Sequence, residues 1–166
     1  MLSLLYFKSH SSTQSILHQI KYNHGKSLAI YMGQLMAHKW KASPHFEAFD
    51  GIIPVSLHNK KHFKRGYNQS LLLAQGLSEI LEIPIYENVL IKRKHNSSQT
   101  KKSRAERIDN VAKVFQLQNE ETIVHKHILL VDDVLTTGAT LEACALLLKE
   151  NVPGITLSIY TLAYAQ

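Results

Sequence analysis

Apolar and polar positions follow two alternating patterns along this chain. Apolar residues spaced three and four apart predict amphipathic helices. These helices cover residues 11–22, 26–41 and 69–81 and a further segment that starts at Leu141. Short apolar runs predict strands at residues 51–55, 83–86, 88–91, 114–117, 128–131 and 155–162. Because strands and helices alternate, the pattern predicts an α/β fold with a parallel twisted sheet flanked by helices.

The same pattern predicts which side chains face the core. One helical face of residues 26–41 carries Leu28, Tyr31, Met32, Leu35 and Met36. The inward residues of the other two helices are Leu72, Leu73 and Leu77, and Leu141, Cys144, Ala145 and Leu148. Residues 155–162 mix apolar and polar side chains, which is typical of a strand nearer the sheet edge.

Residues 128–140 combine features that point to a binding site. The unbroken apolar run at 128–131 is typical of a strand covered on both faces, and ligand crevices open at the carboxyl ends of such strands. Asp132 and Asp133 follow, and then come Thr136, Thr137, Gly138, Ala139 and Thr140 at a predicted helix N-terminus. Free backbone N–H groups, the helix dipole and a glycine there favour a phosphate. Carboxylates accept hydrogen bonds from hydroxyls. The segment therefore predicts a site for a phosphorylated sugar such as ribose 5-phosphate, the alternative being a helix cap with a solvated loop.

Length and composition indicate one globular domain over residues 1–166. The chain is 45% hydrophobic, enough for a packed core at this length. It has no run of about 18 apolar residues that would span a bilayer, and residues 1–8 are too short for a signal peptide. We therefore expect a cytoplasmic protein without membrane insertion. Cys144, the one cysteine, is expected to be a small core residue.

Residues 128–140 resemble the phosphoribosyl pyrophosphate (PRPP) motif of type I phosphoribosyltransferases. Three further stretches are similar to the ComF family of competence-associated, phosphoribosyltransferase-like proteins. Residues 20–29 resemble its "lKYxGxxxLA" opening, and residues 53–58 and 64–70 resemble its "VPVPLH" and "RGFNQ" elements. Arg93, Gln99, Arg107 and Asn110 fall where its "R…Q…R..N" pattern would place them. The likeness extends from about residue 16 to the C-terminus.

The resemblance implies a type I phosphoribosyltransferase-like fold, with residues 1–48 as a helical N-terminal hood and 49–166 as the core sheet. It implies that Asp132 and Asp133 are catalytic, that the 136–140 turn binds the 5-phosphate of PRPP, and that Mg²⁺ is a cofactor. The two aspartates would contact this metal directly or through water. Basic residues would take the pyrophosphate: Lys60, Lys61, Arg65, Arg93, Lys101 and Arg107.

The family commonly carries a four-cysteine zinc module at its N-terminus, which one cysteine cannot build. Either this member lacks the module or that part is missing from the given chain.

The net charge of +6 is concentrated in two clusters, residues 60–65 and residues 92–107. Residues 94–102 have no apolar period and predict a mobile loop. Three interpretations stay open: a solvated surface, a lid that neutralises pyrophosphate, and a groove for single-stranded DNA.

The resemblance implies one of two functions. The first is a phosphoribosyltransferase linked to DNA uptake in natural transformation, in which an unidentified acceptor displaces pyrophosphate from PRPP. The second is a non-catalytic PRPP-binding accessory protein whose partners are single-stranded DNA, the competence helicase or DNA-processing proteins.

Overall fold

A computed structural model describes residues 2–8, 11–22, 25–55, 66–92 and 115–165. The strands are β1 (Leu2–Phe7), β2 (Gly51–Pro54), β3 (Leu90–Lys92), β4 (Phe115–Leu117), β5 (His127–Leu135) and β6 (Thr156–Ala165). The helices are α1 (Ser12–Tyr22), α2 (Lys26–Lys41), α3 (Gln69–Leu81) and α4 (Ala139–Asn151), with a 3₁₀ turn at Glu120–Ile123. None of the described helices is both long and apolar enough to cross a membrane.

Four strands form a parallel sheet in the order β1, β6, β5, β2. β5 lies between β2 and β6, which explains why its apolar run is unbroken: Ile128, Leu129, Leu130 and Val131 are all buried. β3 and β4 form a separate antiparallel pair. The prediction of a parallel sheet flanked by helices is confirmed.

β1 was not predicted, and it changes the position of the last strand. Leu2 pairs with Tyr160 and Phe7 pairs with Ala165, so β1 forms the sheet edge. The prediction that residues 155–162 lie nearer the edge is therefore wrong, because β6 has a partner on each side. The polar residues of β6 are explained by local contacts, since Thr161 Oγ1 lies 2.6 Å from Ser3 Oγ.

Other strand boundaries also differ from the predictions. β5 does not end at the aspartates, and its pairing with β6 continues as far as Leu135. The segment 83–86 is not a strand and makes a single bridge, between Ile85 and Ile52. The strand predicted at 88–91 is shifted to Leu90–Lys92.

The helices cover both faces of the sheet and define two buried clusters. α1, α2 and α3 pack in one cluster with Leu129 and Val131. α4 packs in the other with Ile128 and Leu130 and with the β3–β4 pair.

Helix α2 turns a different face inward from the one predicted. Met32 and Met36 are buried as expected, but Tyr31 is 55% exposed and Leu35 is 37% exposed. Small residues take their place, because α2 and α3 approach closely. A Cβ added at Gly33 would lie 2.2 Å from the carbonyl oxygen of Leu73, and one added at Gly76 would lie 2.0 Å from that of Ile30. The remaining buried residues of α2 are Ala29, Ala37 and Trp40.

Candidate functional site

An open pocket lies where β5 gives way to α4. Its cavity volume is about 50 Å³. Its lining consists of Asp132 and residues 134–141. Gly138 adopts a φ of +77°, a left-handed conformation that glycine accepts without strain. Helix α4 begins at the next residue. Its N-cap, Gly138, makes no side-chain hydrogen bond, and the N–H of Ala139 donates only a long bond of 3.5 Å to Thr137 Oγ1. The first N–H groups of α4 therefore face a pocket with room for an anion.

Asp132 lies at the inner wall of this pocket and is held by two hydrogen bonds. Its Oδ1 accepts from Ser70 Oγ at 2.9 Å and from the backbone N–H of Asp133 at 2.8 Å. Both bonds stabilise the ionised form. They also fix the direction of the carboxyl group, so that its position does not depend on a ligand.

The surroundings of Asp132 nevertheless oppose its charge. Burial, followed by the negative charge of Asp133, raises the pKa of Asp132 from 3.8 to about 7. The hydrogen bonds from Asp133 and Ser70 and the positive charge of Lys21 lower this pKa but only partly offset the rise. Near neutral pH, Asp132 therefore exchanges between a protonated donor and an ionised acceptor.

Asp133 has a different partner. Its Oδ2 lies 2.9 Å from Nζ of Lys21, in the last turn of α1, and both side chains are mostly buried. Asp133 does not line the pocket. In the described part of the chain, the neighbouring acids thus have separate surroundings: Asp132 faces the 136–140 turn and Asp133 is held in an ion pair.

Both aspartates meet groups from the same helical layer, although adjacent strand residues normally point to opposite faces. Leu129 and Val131 belong to the α1–α2–α3 cluster. If side chains alternated strictly along β5, those of Asp133 and Leu135 would point toward the same cluster. Instead Val134 packs against that cluster, and Leu135 belongs to the other. The alternation changes phase across the two aspartates, so that Asp132 contacts Ser70 of α3 and Asp133 contacts Lys21 of α1.

The segment before α3 organises this arrangement. Asn68 donates from Nδ2 to the carbonyl oxygen of Val55, just after β2, and caps α3 by accepting from the N–H of Ser70. Tyr67 is buried and donates to the carbonyl oxygen of Ile20 in α1. The segment thereby aligns Ser70 with Asp132 and ties α1 to the same edge of the sheet.

The structure brings part of the predicted site together. Asp132 and Thr136, Thr137, Gly138, Ala139 and Thr140 line one pocket, whereas Asp133 lies beside it. The predicted loop at 94–102 and most of both basic clusters lie outside the described residues. These include every basic residue predicted to take pyrophosphate: Lys60, Lys61, Arg65, Arg93, Lys101 and Arg107.

Sequence reasoning missed the contacts of Lys21 and Ser70. Both residues lie at helix ends, Lys21 in the last turn of α1 and Ser70 in the first turn of α3. Both also lie in stretches that resemble the ComF motifs. A polar residue at a predicted helix terminus, within such a stretch, was the available signal.

The two aspartates of the site could hold a magnesium ion only if a bound ligand supplied further oxygen atoms. Among the described residues, no group of three or more His, Cys, Asp or Glu side chains could hold a metal. Mg²⁺ is commonly bound by one or two carboxylates, waters and substrate phosphates. Asp132 and Asp133 match the protein part of such a set.

The phosphoribosyl transferase domain family matches residues 68–165 of the chain. This range covers β5, the pocket and α4, and more than half of the molecule. The chain therefore belongs to the phosphoribosyltransferase domain family. Within that family it is a member of the ComF group, as the following relatives show.

Competence protein F of Haemophilus influenzae is 38% identical over 102 residues, which is 61% of this chain and 44% of that protein. DNA utilization protein YhgH of Escherichia coli K12 is 30% identical over 139 residues, 82% of this chain and 60% of that protein. Competence protein ComFC of Bacillus subtilis is 33% identical over 111 residues, 67% of this chain and 43% of that protein. The chain thus spans 43% to 60% of the length of these relatives.

Solved structures share the fold. The allosteric regulatory enzyme of purine biosynthesis has a TM-score of 0.59 at 19% identity, with 86% of this chain and 30% of that chain covered. Adenine phosphoribosyltransferase from Leishmania tarentolae has a TM-score of 0.53 at 12% identity, with 96% and 90% covered. These neighbours confirm the type I phosphoribosyltransferase fold.

Proposed function

We propose that this chain binds PRPP, with its 5-phosphate in the 136–140 turn and its ribose hydroxyls toward Asp132. The observation that carries this proposal is one pocket that joins the weakly capped N-terminus of α4 to a carboxyl group. The helix N-terminus suits a phosphate, and the carboxyl group suits a diol. The relatives named for competence and DNA utilization support a role in DNA uptake during natural transformation.

The chemistry proposed is displacement of pyrophosphate from the anomeric carbon. The bond from this carbon to the pyrophosphate oxygen breaks, and an unidentified acceptor forms the new bond. Positive charge develops on the ribose, and the two aspartates stabilise it. The 136–140 turn fixes the distance and angle of attack by holding the phosphate. One or both aspartates, with phosphate oxygens of the ligand, would hold Mg²⁺, which supplies neutralisation of the departing anion.

The test is calorimetry of the purified chain with PRPP and Mg²⁺. We expect Asp132→Asn to weaken PRPP binding at least about tenfold, since hydrogen bonds to charged groups contribute roughly 1.5–3 kcal/mol. Asp50→Asn is the matched control. Asp50 accepts a hydrogen bond from the N–H of His127 at the opposite end of β5, so its substitution should leave PRPP binding unchanged. Absence of PRPP binding by the unmodified chain would refute the proposal.

A second function is favoured by the ion pair of Asp133. Because Lys21 engages one of the two carboxylates, the site has a smaller free negative charge with which to stabilise a cationic ribose. This supports a non-catalytic PRPP-binding accessory protein that acts through single-stranded DNA or competence proteins. Measuring the pyrophosphate released with a panel of acceptors distinguishes the transferase from the accessory protein. Turnover establishes the transferase, and PRPP binding without turnover establishes the accessory role.

A further inference from the structure

The contact between Lys21 and Asp133 joins the N-terminal region to the ligand site. Helix α1 is anchored on the core by Leu17 and Ile20, which are 4% and 0% exposed. Lys21 follows directly and reaches over the end of β5 to Asp133. The described part of the chain thus places a positive charge against the acidic pair.

Three neighbouring contacts fix the backbone of Lys21. Tyr67 Oη donates at 2.6 Å to the carbonyl oxygen of Ile20, one of the last carbonyls of α1, which have no helical partner. Gly25 packs so closely on α1 that an added Cβ would lie 2.6 Å from the carbonyl oxygen of Gln19. Lys26 Nζ lies 5.5 Å from the centre of the Tyr67 ring and helps to hold that ring. Together these contacts hold the end of α1 from which Lys21 reaches Asp133.

The position also suits a cation electrostatically. The C-terminal end of a helix carries partial negative charge, which favours a lysine in the last turn. The side chains of Lys21 and Asp133 are 24% and 17% exposed, so the pair is screened by solvent less than a surface pair. Another cation would therefore compete with Lys21 for the charge of Asp133.

We propose that Lys21 is a positioning residue that occupies Asp133 and leaves Asp132 as the open acceptor, so that the site takes a sugar phosphate without a divalent cation at Asp133. This inference rests on the proposed function and deepens it. Lys21 then supplies, from the chain itself, the positive charge that the acidic pair would otherwise obtain from a bound metal ion. The ligand class that fits is a sugar monophosphate as well as PRPP, because a monophosphate needs no metal to neutralise a second phosphate group.

The decisive measurement is the affinity for Mn²⁺ alone, followed by electron paramagnetic resonance, which needs no sugar ligand and no turnover. Lys21→Met frees Asp133, and we expect Mn²⁺ to bind at least about tenfold more tightly, since removal of a cation beside a partly buried carboxylate has an effect of this order. Lys21→Arg keeps the charge and should match the unmodified chain. An unchanged Mn²⁺ affinity in Lys21→Met would overturn the proposal.

Lys41→Met is the matched control. It removes the same charge from an exposed lysine at the far end of α2, which donates to the carbonyl oxygen of Ile80. Its Mn²⁺ affinity should equal that of the unmodified chain. A gain equal to that of Lys21→Met would show a general effect of net charge and would overturn the proposal.

A second measurement needs no variant. The unmodified chain should bind ribose 5-phosphate in EDTA within about threefold of its affinity in Mg²⁺, because a monophosphate carries no pyrophosphate for a metal to neutralise and the 136–140 turn offers backbone N–H groups to its phosphate. Binding that requires Mg²⁺ would contradict the role of Lys21. Failure of PRPP to bind, together with a Lys21-dependent Mn²⁺ affinity, would refute the proposed function while leaving the ion-pair role intact.

Discussion

At Asp132 the fold holds a carboxyl group in surroundings that oppose its ionisation. Two donors, Ser70 and the N–H of Asp133, favour the charged form, yet burial and the charge of Asp133 outweigh them. A carboxyl with a pKa near 7 can accept from a ribose hydroxyl when ionised and donate when protonated. Such perturbed groups cluster at functional sites.

The raised pKa of Asp132 predicts a specific dependence of stability on pH. Between pH 4 and pH 7 the folded chain retains a proton on Asp132 that the unfolded chain has lost, so the free energy of unfolding falls as pH rises through this range. Asp132→Asn has no such group. We expect its stability relative to the unmodified chain to increase between pH 4.5 and pH 8 by an amount on the order of 3 kcal/mol.

Urea unfolding in EDTA at the two pH values measures this difference. Asp133→Asn is a useful companion, because removing the charge of Asp133 lowers the pKa of Asp132 and should shrink the trend in that background. A stability difference between Asp132→Asn and the unmodified chain that stays constant with pH would contradict the assignment.

Individual contacts of the site were the hardest features to predict from the sequence. The turn at 136–140 is local, so a phosphate site there could be predicted from consecutive residues. The bonds from Ser70 to Asp132 and from Lys21 to Asp133 join residues that are distant in the chain and have no shared period. Only the fold brings them together.

At the scale of elements, periodicity predicted the helices better than the strands. The bounds of α2 and α3 match the predictions, because three and more turns of repeated pattern define a helix. β1 was missed because residues 2–7 contain no clear alternation. β5 was predicted too short because its acidic residues interrupt the apolar run. Its pairing with β6 continues past them, because main-chain hydrogen bonds do not depend on the polarity of the side chains.

The crossing of α2 and α3 gives a prediction at this scale. Gly33→Ala and Gly76→Ala each place a Cβ against backbone of the other helix, at 2.2 Å and 2.0 Å. Alanine normally favours a helix interior over glycine by about 1 kcal/mol. We nevertheless expect each variant to destabilise the chain by roughly 1–3 kcal/mol, since backbone cannot yield as a flexible side chain would.

Chemical denaturation of each variant measures this loss. Lys39→Ala, at an exposed position of α2, is the control and should change the free energy of unfolding by less than about 0.5 kcal/mol. A stabilised Gly33→Ala variant would show that the two helices separate easily.

At the scale of the whole molecule, the site and the charge belong to different parts of the chain. The pocket lies in the described core, whereas the basic clusters lie mostly outside the described residues. The net charge of +6 belongs to the whole chain and favours polyanions in general.

DNA binding therefore gives a prediction about charge rather than about the pocket. If the basic clusters form a groove for single-stranded DNA, the affinity falls with salt because bound cations are released from the phosphates, with a slope of about 0.7 per phosphate contact. A quadruple alanine variant should reduce this slope by about 2 to 3 and weaken binding at low salt. Its positions are Lys60, Lys61, Lys101 and Lys102.

The matched control is a second quadruple alanine variant with the same net charge. It changes exposed lysines of the described surface that lie outside both clusters: Lys8, Lys39, Lys41 and Lys149. Long-range attraction depends on total charge and falls equally in the two variants, whereas direct phosphate contacts depend on where the charges lie. Fluorescence anisotropy with a labelled oligonucleotide across a salt series separates them. A localised groove requires a smaller slope for the cluster variant than for its counterpart, and equal slopes would leave the basic clusters as a solvated surface.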